Sequence, residues 1–171
     1  MPKAKSRAAE KDAIALLKED HAKVRALLGE LEKTKEKATS RREELLQVIE
    51  RELKIHTTIE EEIFYPAFRD AAEKKDDRKL YYEAVEEHHV VDTVLPELKG
   101  TELGSEQFAA KAKVLKDLVE HHAEEEETEM FPRAKKLLDR EKLLRLGDEL
   151  TRAKASLTES VLTKLVELVR P

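Results

Sequence analysis

The sequence predicts an all-α protein: an antiparallel up-down bundle of four helices, followed by one more amphipathic helix. Three observations support this fold class. The composition is dominated by Ala, Leu, Glu, Lys and Arg, which are strong helix formers. Only 4 Gly and 5 Pro occur in 171 residues, too few for the many turns of a β protein. Hydrophobic residues make up 40% of the chain and recur at helical spacing, which indicates a folded core although 42% of residues are charged.

Five helical segments follow one another along the chain. Breaks fall near residues 38–40, 74–77 and 100–105 and at Asp139, and such short connections favour antiparallel neighbours. We expect a flexible basic tail over residues 1–11, the bundle over residues 12–139 and a C-terminal helical extension over residues 140–171. The apolar stripes of the first four segments each lead through a histidine: Ile14, Leu17, His21, Val24, Leu28 and Leu31; Leu46, Ile49, Leu53, His56, Glu60, Ile63 and Ala67; Tyr81, Val85, His88, Val91, Leu95 and Leu98; Val114, Leu115, Leu118, Val119 and His122.

The fifth segment, from about residue 140 to residue 169, is amphipathic and contains no histidine. Its apolar stripe either packs across the bundle or forms a homodimer, and the sequence is compatible with both arrangements. The stripe consists of Leu143, Leu146, Leu150, Leu157, Val161, Leu165 and Leu168.

Charge and composition exclude several classes of function. The net charge is −5 and basic residues are scattered among acidic ones, whereas a nucleic acid partner would require a coherent basic face. The chain has no cysteine, so disulfides, thiolate metal sites and a cysteine nucleophile are excluded. It has no apolar run long enough to span a membrane, and no apolar segment behind the basic N-terminus to make a secretory signal. We therefore expect a cytoplasmic protein without a membrane partner.

An internal repeat organises the first four segments. Residues 53–66, LKIHTTIEEEIFYP, match residues 119–132, VEHHAEEEETEMFP, without a gap. This alignment places His56 on His122 and Glu60 on Glu126. A second match begins at the lone histidines, HAKVRALLGELE from residue 21 and HHVVDTVLPELK from residue 88. The bundle is therefore predicted to consist of two helical hairpins, each with one lone His and one HxxxE.

The repeat also separates inward from outward residues in the acidic stretch. His121 falls on Ile55 and Glu125 falls on Ile59, so neither matches a polar position in the first half. His122 and Glu126 are predicted to point inward. The solvent-exposed face is predicted to carry Glu124, Glu127 and Glu129.

These histidines and glutamates have the pattern of metal ligands. Side chains four apart on a helix converge, so an HxxxE pair can hold one ion or two neighbouring ions. Taken singly, a lone His on an apolar face is more often a core residue, and HxxxE arises by chance in Glu-rich helices. However, burying an unpaired carboxylate costs several kcal/mol, and no Lys or Arg occupies the matching stripe positions. The predicted metal ligands are His21, His56, Glu60, His88, His122 and Glu126.

The donor count fits two ions. Four imidazole nitrogens and two bridging carboxylates give about four protein donors for each ion, and an oxo or hydroxo bridge would leave a position for an exogenous ligand. Imidazole and carboxylate without thiolate suit iron, manganese or zinc.

The ordered set of four motifs resembles the hemerythrin-like proteins, whose domain is also called the HHE cation-binding domain. The resemblance covers roughly residues 13–138 and includes the two segments EEIFYP and EETEMFP. It implies a four-helix bundle around two non-haem iron ions bridged by the two carboxylates. Within this family it implies dioxygen binding, oxygen or iron sensing, iron storage, or handling of peroxide or nitric oxide.

The sequence departs from the oxygen carriers of this family at one position. Carriers have a further His one turn after the third-helix ligand, and this chain has Asp92 there. Either the second ion loses a nitrogen or Asp92 supplies a carboxylate. An open or more anionic site favours sensing, or weak peroxidase- or catalase-like activity, over simple reversible oxygen carriage. Tyr81, two turns before His88, is a candidate oxygen ligand or ligand partner, although a core tyrosine is the commoner arrangement.

Two other functions compete with this interpretation. A ferritin-like di-iron oxidase or iron store requires two Glu-xx-His pairs on separate helices, and only Glu86 with His89 has that spacing. A metal-independent helical interaction module would carry its His and Glu incidentally, and its stability would be indifferent to chelators.

Overall fold

The computed structural model describes residues 11–160 with their side chains and residues 161–169 as backbone. All regular structure in these residues is helical, so the predicted all-α fold class is confirmed. The predicted basic tail lies almost entirely outside the described residues. The helices are α1 (Ala13–Glu32), α2 (Thr39–Ile59), α3 (Tyr65–Ala71), α4 (Lys75–Lys99), α5 (Glu106–Glu125), α6 (Phe131–Leu137) and α7 (Arg140–Val169).

Two of the four bundle helices contain a π-helical turn. Residues Glu60–Phe64 join α2 to α3 without a break, and residues Glu126–Met130 join α5 to α6 in the same way. Pro66 and Pro132 stand two residues after these turns, where a residue without an N–H needs no acceptor from the disturbed helix. The bundle therefore consists of α1, the α2–α3 rod, α4 and the α5–α6 rod, with α1 packed between α2 and α5 and with α4 beside α5.

Side-chain caps define where three of the helices begin. Asp12 accepts a hydrogen bond from the Ala15 N–H at 2.8 Å, and Ser105 accepts one from the Phe108 N–H at 3.1 Å. Asp139 accepts one from the Lys142 N–H at 2.7 Å at the start of α7. Each cap satisfies an amide that the first helical turn leaves without an acceptor, which places the breaks near the predicted positions.

The apolar core forms two clusters with a polar layer between them. Along α1, Leu17 belongs to one cluster and Val24 to the other, with His21 between them. Along α2, Leu53 and Ile59 belong to different clusters, with His56 between them. The same order holds around His88 and His122, so all four histidines lie at one level of the bundle, enclosed above and below by hydrocarbon.

The C-terminal helix packs on its own bundle. Leu143, Leu146 and Leu150 are buried in the same cluster as Ile14 and Leu17, and α7 contacts both α1 and α2. The first of the two arrangements left open by the sequence therefore applies to the stripe as far as Leu157. The side chains of Val161, Leu165 and Leu168 lie outside the described residues, and a homodimer through this end of the helix stays a prediction.

Gly147 permits α7 to cross the start of α1. A Cβ atom at this position would lie 2.3 Å from the carbonyl oxygen of Lys11 and 3.1 Å from the backbone N of Ala13. Backbone atoms at that distance cannot give way as a flexible side chain would. A side chain at position 147 would therefore separate the two helices.

Among the described helices, none combines the length and apolar composition needed to cross a membrane.

Candidate metal centre

The six predicted ligands meet in the polar layer at the middle of the bundle, and each is at most 6% exposed. Glu60 Oε2 lies 3.2 Å from His56 Nε2 of its own helix and 3.3 Å from His88 Nε2 of the other half. Glu126 Oε2 lies 3.8 Å from His122 Nε2 of its own helix and 3.2 Å from His21 Nε2 of the other half. Each carboxylate thus joins the two halves of the repeat.

The donor atoms form two adjacent groups that share Glu60. Donors of the first group lie within 4.8 Å of one another, as do those of the second, which is the spacing of ligands around a single cation. The first group consists of His21, His56, Glu60 and Glu126, and the second of Glu60, His88 and His122. Two neighbouring cations bridged by a carboxylate fit this arrangement.

Several of these buried polar atoms have no hydrogen-bond partner among the described residues. They are Nε2 of His21, both ring nitrogens of His56, both oxygens of Glu60 and Oε2 of Glu126. A buried polar group left without a partner costs about 1–3 kcal/mol, and a charged one costs more. Among the described residues, the ion-pair partners of Glu60 and Glu126 are all histidines. The layer therefore has an excess of lone pairs, which cations would satisfy.

The protonation of these groups agrees with cation binding. Burial raises the pKa of Glu60 well above its usual value, and the charge of Glu126 raises it further. Although burial opposes it, His122 and His21 hold the pKa of Glu126 below its usual value. Burial lowers the pKa of His56 to about 4. At neutral pH the His56 imidazole is therefore neutral and can offer a lone pair to a metal.

In three of the four imidazole rings, the Nδ1 atom, on the side away from the centre, is hydrogen-bonded to a carboxylate. A carboxylate only accepts, so the ring Nδ1 carries the hydrogen and Nε2 presents its lone pair to the centre. The Nδ1-to-oxygen distances are 3.0 Å for His21 and Glu127, 2.8 Å for His88 and Glu61, and 2.7 Å for His122 and Glu87. The fourth pair, His56 and Asp20, is wider at 3.8 Å.

Two of the ring nitrogens face each other closely. His88 Nε2 and His122 Nε2 are 3.1 Å apart, and both rings use Nδ1 to donate to a carboxylate. Two lone pairs at that distance repel unless a proton or a cation lies between them. This pair therefore fits a shared metal ion at the second position.

The ring-supporting carboxylates follow the internal repeat. Glu61 and Glu127 each come directly after a bridging glutamate, and each reaches the lone His of the other half. The prediction that Glu127 belongs to the solvent face is wrong, because its side chain is only 23% exposed and its carboxylate contacts both His21 and Arg25. Sequence periodicity places Glu127 at the edge of the helix but does not show what lies opposite.

Tyr65 is a residue of the site that the sequence analysis missed. Its side chain is fully buried, and its hydroxyl donates to Glu126 Oε1 at 2.8 Å and lies 3.3 Å from His88 Nε2. Burial raises the pKa of the Tyr65 phenol well above its usual value, so the hydroxyl keeps its proton. Tyr65 faces inward because its N–H donates to the carbonyl of Glu60, five residues before it, in the π-helical turn.

The hemerythrin HHE cation binding domain family has a model that matches residues 12–134 of this chain. The chain belongs to this family. A solved structure of a hemerythrin HHE cation binding domain-containing protein from Mycobacterium kansasii is similar over 94% of this chain and 95% of that chain, with a TM-score of 0.80 and 28% sequence identity. The resemblance that the motifs indicated is confirmed, and a buried His and Glu cluster in an HHE domain indicates a metal-binding protein.

A DNA nickase from Nostoc sp. is also similar in sequence. It is 26% identical over 144 residues, which are 84% of this chain and 39% of the relative. The chain therefore spans about two fifths of the length of this relative. The whole of α7 lies beyond the residues that the HHE family model matches.

The structure does not bring the two additional candidate ligands to the HHE centre. Asp92 is exposed, because the interior position one turn after His88 is Val91 rather than residue 92. Tyr81 packs edge-on against Tyr65, with ring centroids 6.2 Å apart, and lies beneath the Arg69 guanidinium. Asp92 therefore does not supply a carboxylate to the centre, and Tyr81 has the core position that was the commoner of its two predicted arrangements. The phenol beside the ligands belongs to Tyr65.

A small cavity adjoins the histidines of the HHE centre. The volume of this cavity is about 20 Å³, enough for about one water-sized molecule. Apart from the four imidazoles and Thr57, its lining is apolar. The lining residues are His21, Val24, Leu53, His56, Thr57, His88, Val91, Val119, His122 and Ala123.

The acidic stretch also places a third His and Glu group on the surface of the HHE domain. His121 Nε2 lies 3.3 Å from Glu125 and 3.6 Å from Glu87, and the His121 side chain is 63% exposed. Its counterparts in the first half are Ile55 and Ile59, as the alignment indicated. The residue that connects this group to the centre is Glu87, whose second oxygen contacts His122.

Proposed function

We propose that this protein is a hemerythrin-like protein that holds two non-haem iron ions, oxo- or hydroxo-bridged, and that binds or reacts with dioxygen or a related small molecule such as peroxide or nitric oxide. The observation that carries the proposal is the set of buried, unpartnered donor atoms on His21, His56, Glu60 and Glu126. Imidazole and carboxylate donors suit iron, with manganese or zinc as the alternatives.

The two donor groups assign the ligands. His21, His56, Glu60 and Glu126 would hold one ion, and His88 and His122 would hold the second with Glu60 as the bridge. When bound, the pair of iron ions supplies electrons for the reduction of a small molecule. Glu126 would be the second bridging carboxylate, since its Oε2 lies 3.2 Å from His21 Nε2 and 3.8 Å from His122 Nε2.

The surrounding residues restrict what can reach the centre. The cavity beside the histidines admits about one water-sized molecule, which suits a diatomic ligand or peroxide. Its valine and leucine lining excludes bulk water and strengthens electrostatic interactions at the centre. Tyr65 keeps a protonated hydroxyl next to Glu126 and His88, so a proton donor stands beside the ligands. This favours weak peroxidase- or catalase-like activity or sensing.

Metal analysis of the purified protein tests the proposal. We expect about two iron ions per chain and a near-ultraviolet absorption that changes on reduction with dithionite and returns in air. His56→Ala and His122→Ala should lose iron and the absorption, and should melt at lower temperature, because metal binding and folding are linked. His121→Ala and His89→Ala are matched controls, since both are exposed and adjacent in sequence to a ligand histidine. Full iron content in both ligand variants would contradict the proposal.

The competing functions lack support from these residues. Glu86 and His89, the one Glu-xx-His pair, both lie on the exposed face of α4, so a ferritin-like arrangement does not form there. A metal-independent interaction module would leave the buried carboxylate of Glu60 unexplained, and its stability would not change on addition of a chelator.

A further inference from the structure

Asp20 lies between the C-terminal helix and the metal centre. Its side chain is buried, and one carboxylate oxygen forms an ion pair with the ammonium group of Lys154 from α7. The other oxygen, Oδ2, lies 3.8 Å from Nδ1 of His56. This separation exceeds a hydrogen bond, and His56 Nδ1 has no partner among the described residues. Asp20 therefore binds the lysine rather than the ligand histidine.

The second half of the repeat shows the alternative arrangement. Glu87 is the counterpart of Asp20, since each directly precedes the lone His of its half. Glu87 Oε2 lies 2.7 Å from Nδ1 of its histidine, His122. Among the described residues, Glu87 forms ion pairs with His121 and His122 and with no lysine, and α7 packs against α1 and α2. The lysine is thus a feature of the first half and comes from outside the repeat.

A fixed ring at a metal ligand affects affinity. A carboxylate at the far nitrogen orients the imidazole and raises its basicity, and loss of such a partner typically costs about 10–100-fold in metal affinity. His21, His88 and His122 have this support, and His56 does not. Rotation of the Asp20 side chain would need to close only the gap from 3.8 Å to a hydrogen-bond length of about 2.8 Å.

We propose that Lys154 is a positioning residue of the metal centre: by holding Asp20, it leaves the His56 ring without a carboxylate partner and weakens the binding of the ion that His56 coordinates. The C-terminal helix thereby sets the affinity of one of the two metal positions. This inference rests on the proposed metal-binding function.

Metal titration of the full-length, metal-free chain tests the inference, with Zn²⁺ as the probe and a chromophoric chelator as competitor. Lys154→Met keeps the aliphatic length of the side chain and removes its charge. We expect one of the two zinc ions to bind about 10–100-fold more tightly in this variant, with the other unchanged. Arg152→Met is the matched control, because it removes the same charge from an exposed position on the same helix. It should leave both affinities at the wild-type values.

A double variant tests whether the gain depends on Asp20, and a proton resonance tests whether it depends on the hydrogen bond. If Asp20 carries the effect, Asp20→Asn in the Lys154→Met background abolishes the gain. A gain that persists in the double variant would mean that removal of a positive charge is sufficient, and the positioning role would be overturned. In the zinc-loaded protein, nuclear magnetic resonance should also show the His56 Nδ1 proton moving downfield in Lys154→Met, as a hydrogen bond to Asp20 forms.

The remaining outcomes distinguish this inference from the proposed function. Unchanged zinc affinities in Lys154→Met, with lower thermal stability alone, would show that Lys154 forms only a structural ion pair and would overturn the inference. Absence of zinc and iron binding by the wild-type chain would instead overturn the proposed function.

Discussion

Tyr65 in the first half of the repeat donates a hydrogen bond of 2.8 Å to Glu126 in the second half. The bond crosses the polar layer and gives one buried carboxylate oxygen its partner, while Glu126 Oε2 on the other side has no hydrogen-bond partner within the part of the chain that the structure describes. The counterpart of Tyr65 in the second half is Phe131, which has no hydroxyl. The two bridging glutamates are therefore chemically different although the helices that carry them are related by the repeat.

Replacing Tyr65 with Phe should destabilise the metal-free protein. The ring has room for Phe, as Phe131 shows at the equivalent position, so the change removes the hydroxyl without a cavity. A hydrogen bond to a charged group contributes about 1.5–3 kcal/mol, and urea unfolding should show a loss of that order. Tyr82→Phe is the control, because Tyr82 is exposed. Equal unfolding midpoints for Tyr65→Phe and the wild type would show that the bond contributes nothing.

The carboxylates behind the histidines should control metal affinity. Glu127→Gln removes the charge that faces His21, and Glu61→Gln does the same for His88. Each change should weaken metal binding about 10–100-fold, measured by competition with a chelator. Glu124→Gln lies on the exposed face of α5 and should bind metal like the wild type. The interpretation fails if all three variants bind alike.

The pH dependence of stability in the metal-free protein should reveal the buried His56. Burial lowers its pKa to about 4 from 6.5, so between these values the unfolded chain binds a proton that the folded protein does not. Stability contributed by neutral His56 is therefore present above pH 6.5 and is lost as the pH falls to about 4. The full loss is on the order of 3 kcal/mol.

The titration of Glu60 changes the stability in the opposite direction to that of His56. Glu60 must therefore be replaced before the effect of His56 can be measured. Its pKa is raised well above the usual value by burial, so the stability from its protonated form is lost as the pH rises. We expect the free energy of unfolding of Glu60→Gln to fall on acidification from pH 6.5 to pH 4. Chemical unfolding at each pH measures this change. The double variant Glu60→Gln/His56→Gln should have a flatter profile, and an equally steep one would rule out His56 as the cause.

Two glycine substitutions should have opposite effects on stability. Gly147→Ala places a Cβ atom against the Lys11 carbonyl at the crossing of α7 and α1, and overpacking of this kind costs about 1–3 kcal/mol. Gly29 lies within α1 with nothing near its Cβ position, so Gly29→Ala should stabilise the protein by about 0.5–1 kcal/mol. Thermal unfolding of the two variants measures both signs, and a destabilised Gly29→Ala would contradict the packing described around α1.

Periodicity predicted the helices, periodicity and the internal repeat together predicted the six converging side chains, and the structure brings all six together. The prediction succeeded because a ligand on an amphipathic helix must lie on the buried stripe. The repeat then identified the stripe positions that carry a polar residue in both halves. The fold class, predicted from composition and periodicity, and the HHE family, predicted from the resemblance of the ordered motifs, are both confirmed. The prediction that Val114 belongs to the buried stripe of its helix was wrong, since this residue is 50% exposed. Val114 and Leu115 are adjacent, and adjacent residues of a helix do not lie on the same face.

Local sequence did not predict Tyr65, Glu127, Asp20 or Lys154 as neighbours of the centre. A regular helix of 3.6 residues per turn places residues three and four after Glu60 on its face, and only the π-helical turn brings the fifth, Tyr65, into the layer. Asp92 does not reach the centre for a related reason: in the helical turn after His88, the inward position is Val91.

The sequence by itself determined which residues are helical, which face of each helix is buried and which side chains can serve as ligands, because these depend on spacing within one helix. The tertiary structure decided which carboxylate binds the Nδ1 atom of which histidine, which carboxylate accepts from the Tyr65 hydroxyl and that Lys154 of α7 binds Asp20. Those contacts join residues up to 134 positions apart, and they depend on the packing of separate helices, which no local pattern encodes.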